Sequence, residues 1–296
     1  MSINWHYATL SFLCAGLLVS KPSRADDPLP ASLVKSDQAS SGSTDVATSG
    51  FEKAEKAAAA SKDAAEFEFS AGGLASAGNS RSMAATSASK FRLRRGSNQL
   101  GAAIAANYAQ SATKGEGLQT TVENFQGKLR YDRFLAGSFA VFGAASARHD
   151  HFQGLELRLN FDPGIAYYIV DEGKQQLWTE IGYDLQYDVR TEEAREAALV
   201  KRMFLGKTVT RHSGRAFVGY SNAVSDTVTV ASGLEYLQGL AESKNYRLNW
   251  DGSVNSAVGK GFSIATTVSV RYDHNPLPDV EKTDVVTSIS LVYHLL

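Results

Sequence analysis

Apolar and polar side chains alternate through most of this chain, over stretches unusually long for a strand. In Gln175 to Val189 the odd positions hold Leu177, Thr179, Ile181, Tyr183, Leu185, Tyr187 and Val189, while Glu180, Asp184, Gln186 and Asp188 take even ones. Successive side chains of a strand point to opposite faces, so a period of two makes one face apolar and the other charged. Glu156 to Val170, Asn245 to Val258 and Phe262 to Asp273 repeat the pattern. Counting such runs gives about twelve strands, near residues 67–78, 81–94, 99–110, 120–133, 138–150, 156–170, 175–189, 211–223, 227–237, 245–258, 262–273 and 283–295. Strands of ordinary sheets hold about five or six residues, whereas about 9 to 11 tilted residues are needed to cross a bilayer. The expected fold is all-β: a single transmembrane antiparallel β-barrel spanning residues 67–296.

The connections and the aromatic residues agree with that reading. Tight turns are expected at Arg95 to Asn98, Phe134 to Gly137, Asp171 to Lys174, Val224 to Asp226 and Gly259 to Gly261. Long loops alternate with them at Ser111 to Gln119, Arg190 to Thr210, Gln238 to Lys244 and His274 to Lys282, the exceptions being the short connections Asn79-Ser80 and His151 to Leu155. Outer-membrane barrels pair short periplasmic turns with longer outside loops. With strands alternating in direction, Tyr108, Tyr183, Tyr187, Tyr236, Tyr246 and Tyr272 fall at outer ends of the apolar face. Phe91, Tyr131, Phe139, Tyr167, Tyr220, Phe262 and Tyr293 fall at inner ends. Two aromatic girdles mark the two membrane interfaces. Trp178 departs from the scheme, lying on the polar face near an inner end.

Ahead of the barrel, Ala8 to Ser20 form a short apolar run, and Ser23-Arg24-Ala25 places small residues at the −3 and −1 positions of a cut after Ala25. Residues 1–25 read as a signal peptide. Their removal takes away the sole cysteine, Cys14, so the exported chain is held by burial and backbone hydrogen bonds. Residues 26–66 read as a disordered linker, rich in Ser, Asp and Ala, followed by a short periplasmic helix from Phe51 to about Phe67, where Glu52 and Lys56 stand four apart and no Gly or Pro intervenes. Composition adds two exclusions. Thirty Lys and Arg against 31 Asp and Glu leave no basic field for a nucleic-acid partner. No run of about 18 apolar residues follows the first twenty positions, which removes a multi-span helical protein.

From about Phe67 onward the chain resembles the family of salt-induced outer-membrane proteins (domain of unknown function 481). The residues carrying the resemblance are Gly78-Asn79-Ser80, Tyr131 to Leu135, Asp150 to Leu155, Leu234 to Leu237, Asn245 to Leu248, Asn275-Pro276 with Lys282 to Asp284, and Ser290 to Tyr293. It implies an outer-membrane barrel, with lipid and lipopolysaccharide around it and with periplasmic chaperones and the barrel-assembly machinery as partners during biogenesis. It implies a role in salt stress by name alone, and no activity. Such chains usually end in an aromatic residue that the assembly machinery reads; this one ends Tyr293-His294-Leu295-Leu296, with Leu295 in the same parity.

The polar face is the expected lumen. Arg130, Asp132, Arg148, Arg158, Glu180, Asp184, Arg247, Asp251 and Arg271 are the expected pore-lining residues, and Lys90, Arg92, Arg94, Lys128, Asp162 and Glu235 share their face. Mixed signs allow two arrangements: ion pairs that fill the interior, or a narrow polar pore. Asp150, Asp188 and Asp273 lie at the outer rim, near His149, His151 and His274, where a metal site or an acid/base pair is conceivable. By parity His149 turns to the lipid. No His-Glu-x-x-His, nucleophile elbow, Walker loop or cysteine pair occurs, so no cofactor or metal is expected. The longest loop carries Glu192, Glu193 and Glu196 early and Lys201 and Arg202 late, a charge order that suits a short helix over the mouth. The leading functional reading is a passive envelope protein, either a narrow pore for ions or small polar solutes or a structural barrel. The alternative is an outer-membrane hydrolase with its site at the extracellular rim.

Overall fold

The computed structural model describes residues 63–76, 81–112, 117–135, 138–151, 154–172, 174–200, 202, 204–275 and 282–295. The expected signal peptide and nearly all of the linker and helix ahead of the barrel lie outside these residues. Twelve strands follow in order: β1 (Ala64–Ser76), β2 (Arg81–Arg95), β3 (Asn98–Ala112), β4 (Gln119–Phe134), β5 (Phe139–Asp150), β6 (Leu155–Glu172), β7 (Gln175–Arg190), β8 (Thr208–Ala223), β9 (Val228–Gly239), β10 (Tyr246–Gly259), β11 (Phe262–Asp273) and β12 (Thr283–His294). Each pairs antiparallel with its sequence neighbour, and β1 closes the barrel on β12. The closing register runs over four pairs, Glu68↔His294 to Ala71↔Leu291, whereas β1 pairs with β2 along its whole length.

The exposure pattern is the reverse of a soluble protein's. Ile181 is 70% exposed and Phe161 and Ile165 more than half, whereas Glu180, Asp184 and Glu235 are at most 1% exposed. Charged residues are seldom fully buried unless paired; here the charged face lines the interior, and the apolar face meets the surroundings along every strand. Only a hydrocarbon environment makes that arrangement stable. The aromatic girdles lie on the outside as expected. Phe139 packs on Tyr167 and Phe262 on Tyr293, each with ring centroids 4.7 Å apart, at the end carrying the tight turns. Tyr236, Tyr246 and Tyr272 form a row at the other end, where Tyr246 stacks on His274 at 4.4 Å. Trp250, between the girdles, lies over Gly252 and donates to Ser232 Oγ at 3.0 Å.

Two local expectations differ from what forms. Ala64 to Glu66, expected to end a helix, are strand: Ala64 pairs with Arg94 and Glu66 with Arg92, and a neighbour's backbone outweighs the helix propensity of a short Ala-rich stretch. In the long loop a helix does form, α1 (Glu192–Val200), with Thr191 Oγ1 accepting from the Ala194 N–H at 3.3 Å as its cap. Its last turn carries no basic residue, because Arg202 adopts a positive φ of 60° beyond the helix end. The start of α1 is tied to the β5–β6 loop: Thr191 N donates to Gly154 O at 2.9 Å. At Gly154, φ is +66°, and a Cβ would lie 2.4 Å from the Ala194 methyl, so glycine alone fits.

Candidate functional site in the barrel lumen

The expected pore-lining residues all lie on the interior face, and most are joined in ion-pair networks rather than held apart around an opening. The longest network begins on β4, where Arg130 donates to Asp132 Oδ1 at 2.8 Å and to Glu180 Oε1 at 2.8 Å. From β8, Arg215 reaches the other oxygen of Glu180 at 2.7 Å and Glu235 Oε1 at 2.7 Å. Asn249 of β10 completes the row by donating to Glu235 Oε2 at 2.9 Å. Both oxygens of each glutamate are thus satisfied, which is what makes burial of a charge tolerable.

Nearer the long loops, Arg158 grips Asp188 through two bonds of 2.7 and 2.9 Å, and Gln186 also donates to Asp188 at 2.9 Å. Arg247 donates to Gln186 Oε1 at 2.9 Å and lies 3.6 Å from Asp184, which accepts from Asn160 at 2.8 Å. Arg148 pairs with Asp150, and Arg271 with Asp251. Among the described residues, eight cationic and eight anionic side chains are buried in this interior. The packed part of the lumen is therefore formally neutral and favours neither sign of ion.

Below the networks, at the tight-turn end, sits a layer of which the sequence placed only Trp178 on the inner face. Phe134, Phe142, Tyr168, Trp178 and Phe217 point inward and pack together with Ala140 and Ala166. Arg94 lies over the Phe134 ring at 3.9 Å and Arg130 over Phe142 at 4.2 Å, so the aromatic faces meet the cations above them. The rings are seated on glycines. A Cβ at Gly219 would come within 2.2 Å of the Trp178 ring, and one at Gly164 within 2.5 Å of Phe142. Trp178 is thus accounted for: it faces inward because Gly219, directly opposite on β8, leaves room for an indole. Gly219→Val should lower stability by about 1 to 3 kcal/mol through overpacking. Urea unfolding in detergent micelles measures it, and Trp178→Ala should recover part of the loss.

Of the expected rim acids, Asp150 and Asp188 are bound to arginines as described, and Asp273 Oδ1 accepts from the Asn275 N–H at 2.9 Å. His149 faces outward, with Nδ1 2.7 Å from Glu156 O. Among the described residues no group of three His, Cys, Asp or Glu is placed to hold a metal.

Four charged residues, Arg211, Arg215, Glu66 and Glu68, join the site without having been expected there; Arg211 of β8 lies 3.9 Å from Asp188. Arg215 was hidden because the lumen face of β8 mixes Arg215 with Phe217 and Gly219, which spoils the alternation. Glu66 fell just before the expected start of the first strand at residue 67, and Glu68 just after it. They pair with Arg92 and Lys90 of β2.

A closed barrel of twelve antiparallel strands, apolar outside, belted by aromatic rings and charged within, is a transmembrane barrel of the outer-membrane kind. Within that class the chain belongs to the family described as protein of unknown function, DUF481, whose model matches residues 69–295. No protein of curated function matches it. Solved structures similar to it include the NanC porin, at 9% identity and a TM-score of 0.48, covering 78% of this chain and all of that one. The translocator domain of the autotransporter NalP from Neisseria meningitidis is 10% identical with a TM-score of 0.41, covering 78% of this chain and 87% of that one. The beta domain of the Bordetella autotransporter Brka is 12% identical with a TM-score of 0.37, covering 78% and 98% respectively.

Proposed function

We propose that this protein resides in a bacterial outer membrane and passes ions or small polar solutes through a narrow pore. The observation that carries the reading is the uneven filling of the lumen. Large paired side chains occupy the side formed by β4 to β11. The inward positions of β1 and β2 hold mainly small residues, among them Ser70, Gly72, Ala84, Thr86 and Ala88, which like Ala105 of β3 remain partly exposed inside the barrel, whereas Gln99, Gly101, Ala103 and Ala109 of β3 are buried. A barrel that served only as a wall would have no need to leave polar or small side chains wetted there. The residues named above as pore-lining then form one side of the passage, as neutral, braced pairs. The long loops and α1 face outside and the tight turns face the periplasm, where chaperones and the assembly machinery receive the chain before lipid and lipopolysaccharide surround it.

Purified protein in a planar bilayer should conduct in discrete steps of a small, ohmic size. Silence in the bilayer, from protein that retains the gel mobility of a folded barrel, favours the purely structural role instead. The salt-stress role has its own test: loss of the protein should impair growth at raised osmolarity and leave growth in ordinary medium unchanged. The rim hydrolase reading draws no support from Asp150, Asp188 and Asp273, whose oxygens are engaged by arginines or a turn amide.

A further inference from the structure

We infer that the passage is off-axis, running in the crescent between β12 and β3, and that its ion selectivity is set by a charged ladder of Glu66, Glu68, Lys90 and Arg92 at the periplasmic end. The inference rests on the pore reading above and says where in the barrel the current flows.

Three independent observations converge on it. The first is the obstruction of the other side. The ring layer of Phe134, Phe142, Tyr168, Trp178 and Phe217 closes the β4–β8 side at the tight-turn end, and the network from Asp132 to Asn249 closes it above. The second is the degree of exposure of the charges. Apart from Arg211, which lies at the outer rim beside Asp188 and is 40% exposed, the paired acids and bases of the packed side have side chains 0 to 8% exposed, from Glu235 to Arg130. In the ladder the values rise to 11% for Lys90, 17% for Arg92, 29% for Glu68 and 38% for Glu66. Water reaches these four charges from inside the barrel, since all four occupy inward positions of β1 and β2.

The third is register. Glu66 stands directly opposite Arg92, and Glu68 opposite Lys90 and, across the seam, opposite His294. Lys90 is 3.8 Å from Glu68, and His294 Nδ1 is 3.3 Å from it. Immediately above this ladder the same strands carry only Ser70, Gly72, Ala88 and Thr86 inward, so its charges are the first that a solute leaving the small-residue crescent meets. Partly exposed charges on a narrow aqueous path act on passing ions even when paired across neighbouring strands, whereas the fully buried interior pairs are out of their reach.

The test places a thiol on the path. Ala88→Cys faces the crescent and Ser87→Cys, one residue away, faces the lipid. A cationic methanethiosulfonate reagent added to an open channel should lower the conductance of Ala88→Cys at least twofold. It should leave Ser87→Cys and the unsubstituted protein unchanged. In separate variants, Glu66→Gln with Glu68→Gln should move the reversal potential under a salt gradient toward anion preference. Lys90→Gln with Arg92→Gln should move it toward cation preference, with the heat-modifiable gel mobility retained in both. A conducting channel whose Ala88→Cys variant ignores the reagent, and whose reversal potential ignores both charge pairs, overturns the off-axis path while leaving the pore intact. Absence of conductance in the unsubstituted protein overturns the pore reading and this inference with it.

Discussion

Glu180→Gln should destabilise the folded barrel by about 3 to 5 kcal/mol, the usual penalty for removing one member of a buried ion pair and stranding its partner. Glu180 is 1% exposed and bridges two arginines, Arg130 of β4 and Arg215 of β8, one on each oxygen. A neutral amide of the same shape keeps the volume and one acceptor, so the loss isolates charge from packing. The midpoint of urea unfolding in micelles, followed by tryptophan fluorescence, measures it. The double variant Glu180→Gln with Arg130→Gln should be more stable than the single one, because the stranded cation is then gone. Equal midpoints for Glu180→Gln and the unsubstituted protein would show that the interior pairs are wet, screened and dispensable, against the geometry described.

Phe161→Arg should cost about 2 to 4 kcal/mol and block insertion into vesicles, the range for a basic residue on the lipid face near mid-membrane. Phe161 lies near the middle of β6, 51% exposed on the outer face, opposite Ala145 on β5 and Leu185 on β7. Its companion is Thr86→Asn on the inner face of β2, which adds an amide where water already reaches and should insert normally. Because side chains alternate with a period of two, a slip of one residue would exchange the faces of a whole strand. If Phe161→Arg inserts and Thr86→Asn does not, the faces are reversed and the molecule is a soluble barrel around an apolar interior.

The strands were legible because each long period-two run ends in a short turn cluster. Observed ends fall within three residues of the expected ones, from β1 beginning at Ala64 to β12 ending at His294. The parity of the charged residues was equally legible, so Glu180, Asp184 and Asp188 could be placed inside before any partner was known. Their partners were not. Arg130 meets Glu180 across fifty residues, and Arg247 meets Gln186 across sixty-one; such pairings depend on strand tilt and register, which no local pattern encodes. The inward rings other than Trp178, which parity alone puts on the polar face, were missed for a related reason. Phe142 faces in because Gly164 stands opposite it, and Trp178 because Gly219 does, and a ring over a glycine is visible only once the two strands have been aligned. The start of β1 was misread because Ala and Lys favour helix in isolation, and only β2 alongside makes Glu66 part of a strand.

The interior pairs also decide how stiffness is distributed around the tube. Ladder bonds between neighbouring strands leave a sheet free to shear, as a frame of parallel slats does. The bonds from Arg130 on β4 to Glu180 on β7, and from Arg247 on β10 to Gln186 on β7, skip strands and act as diagonal braces that fix the curvature of that arc. The arc from β12 to β3 carries the four-rung seam at its edge. If the passage runs there, thermal breathing should concentrate in that arc, and changes in bore should be taken up there while the braced arc keeps its shape.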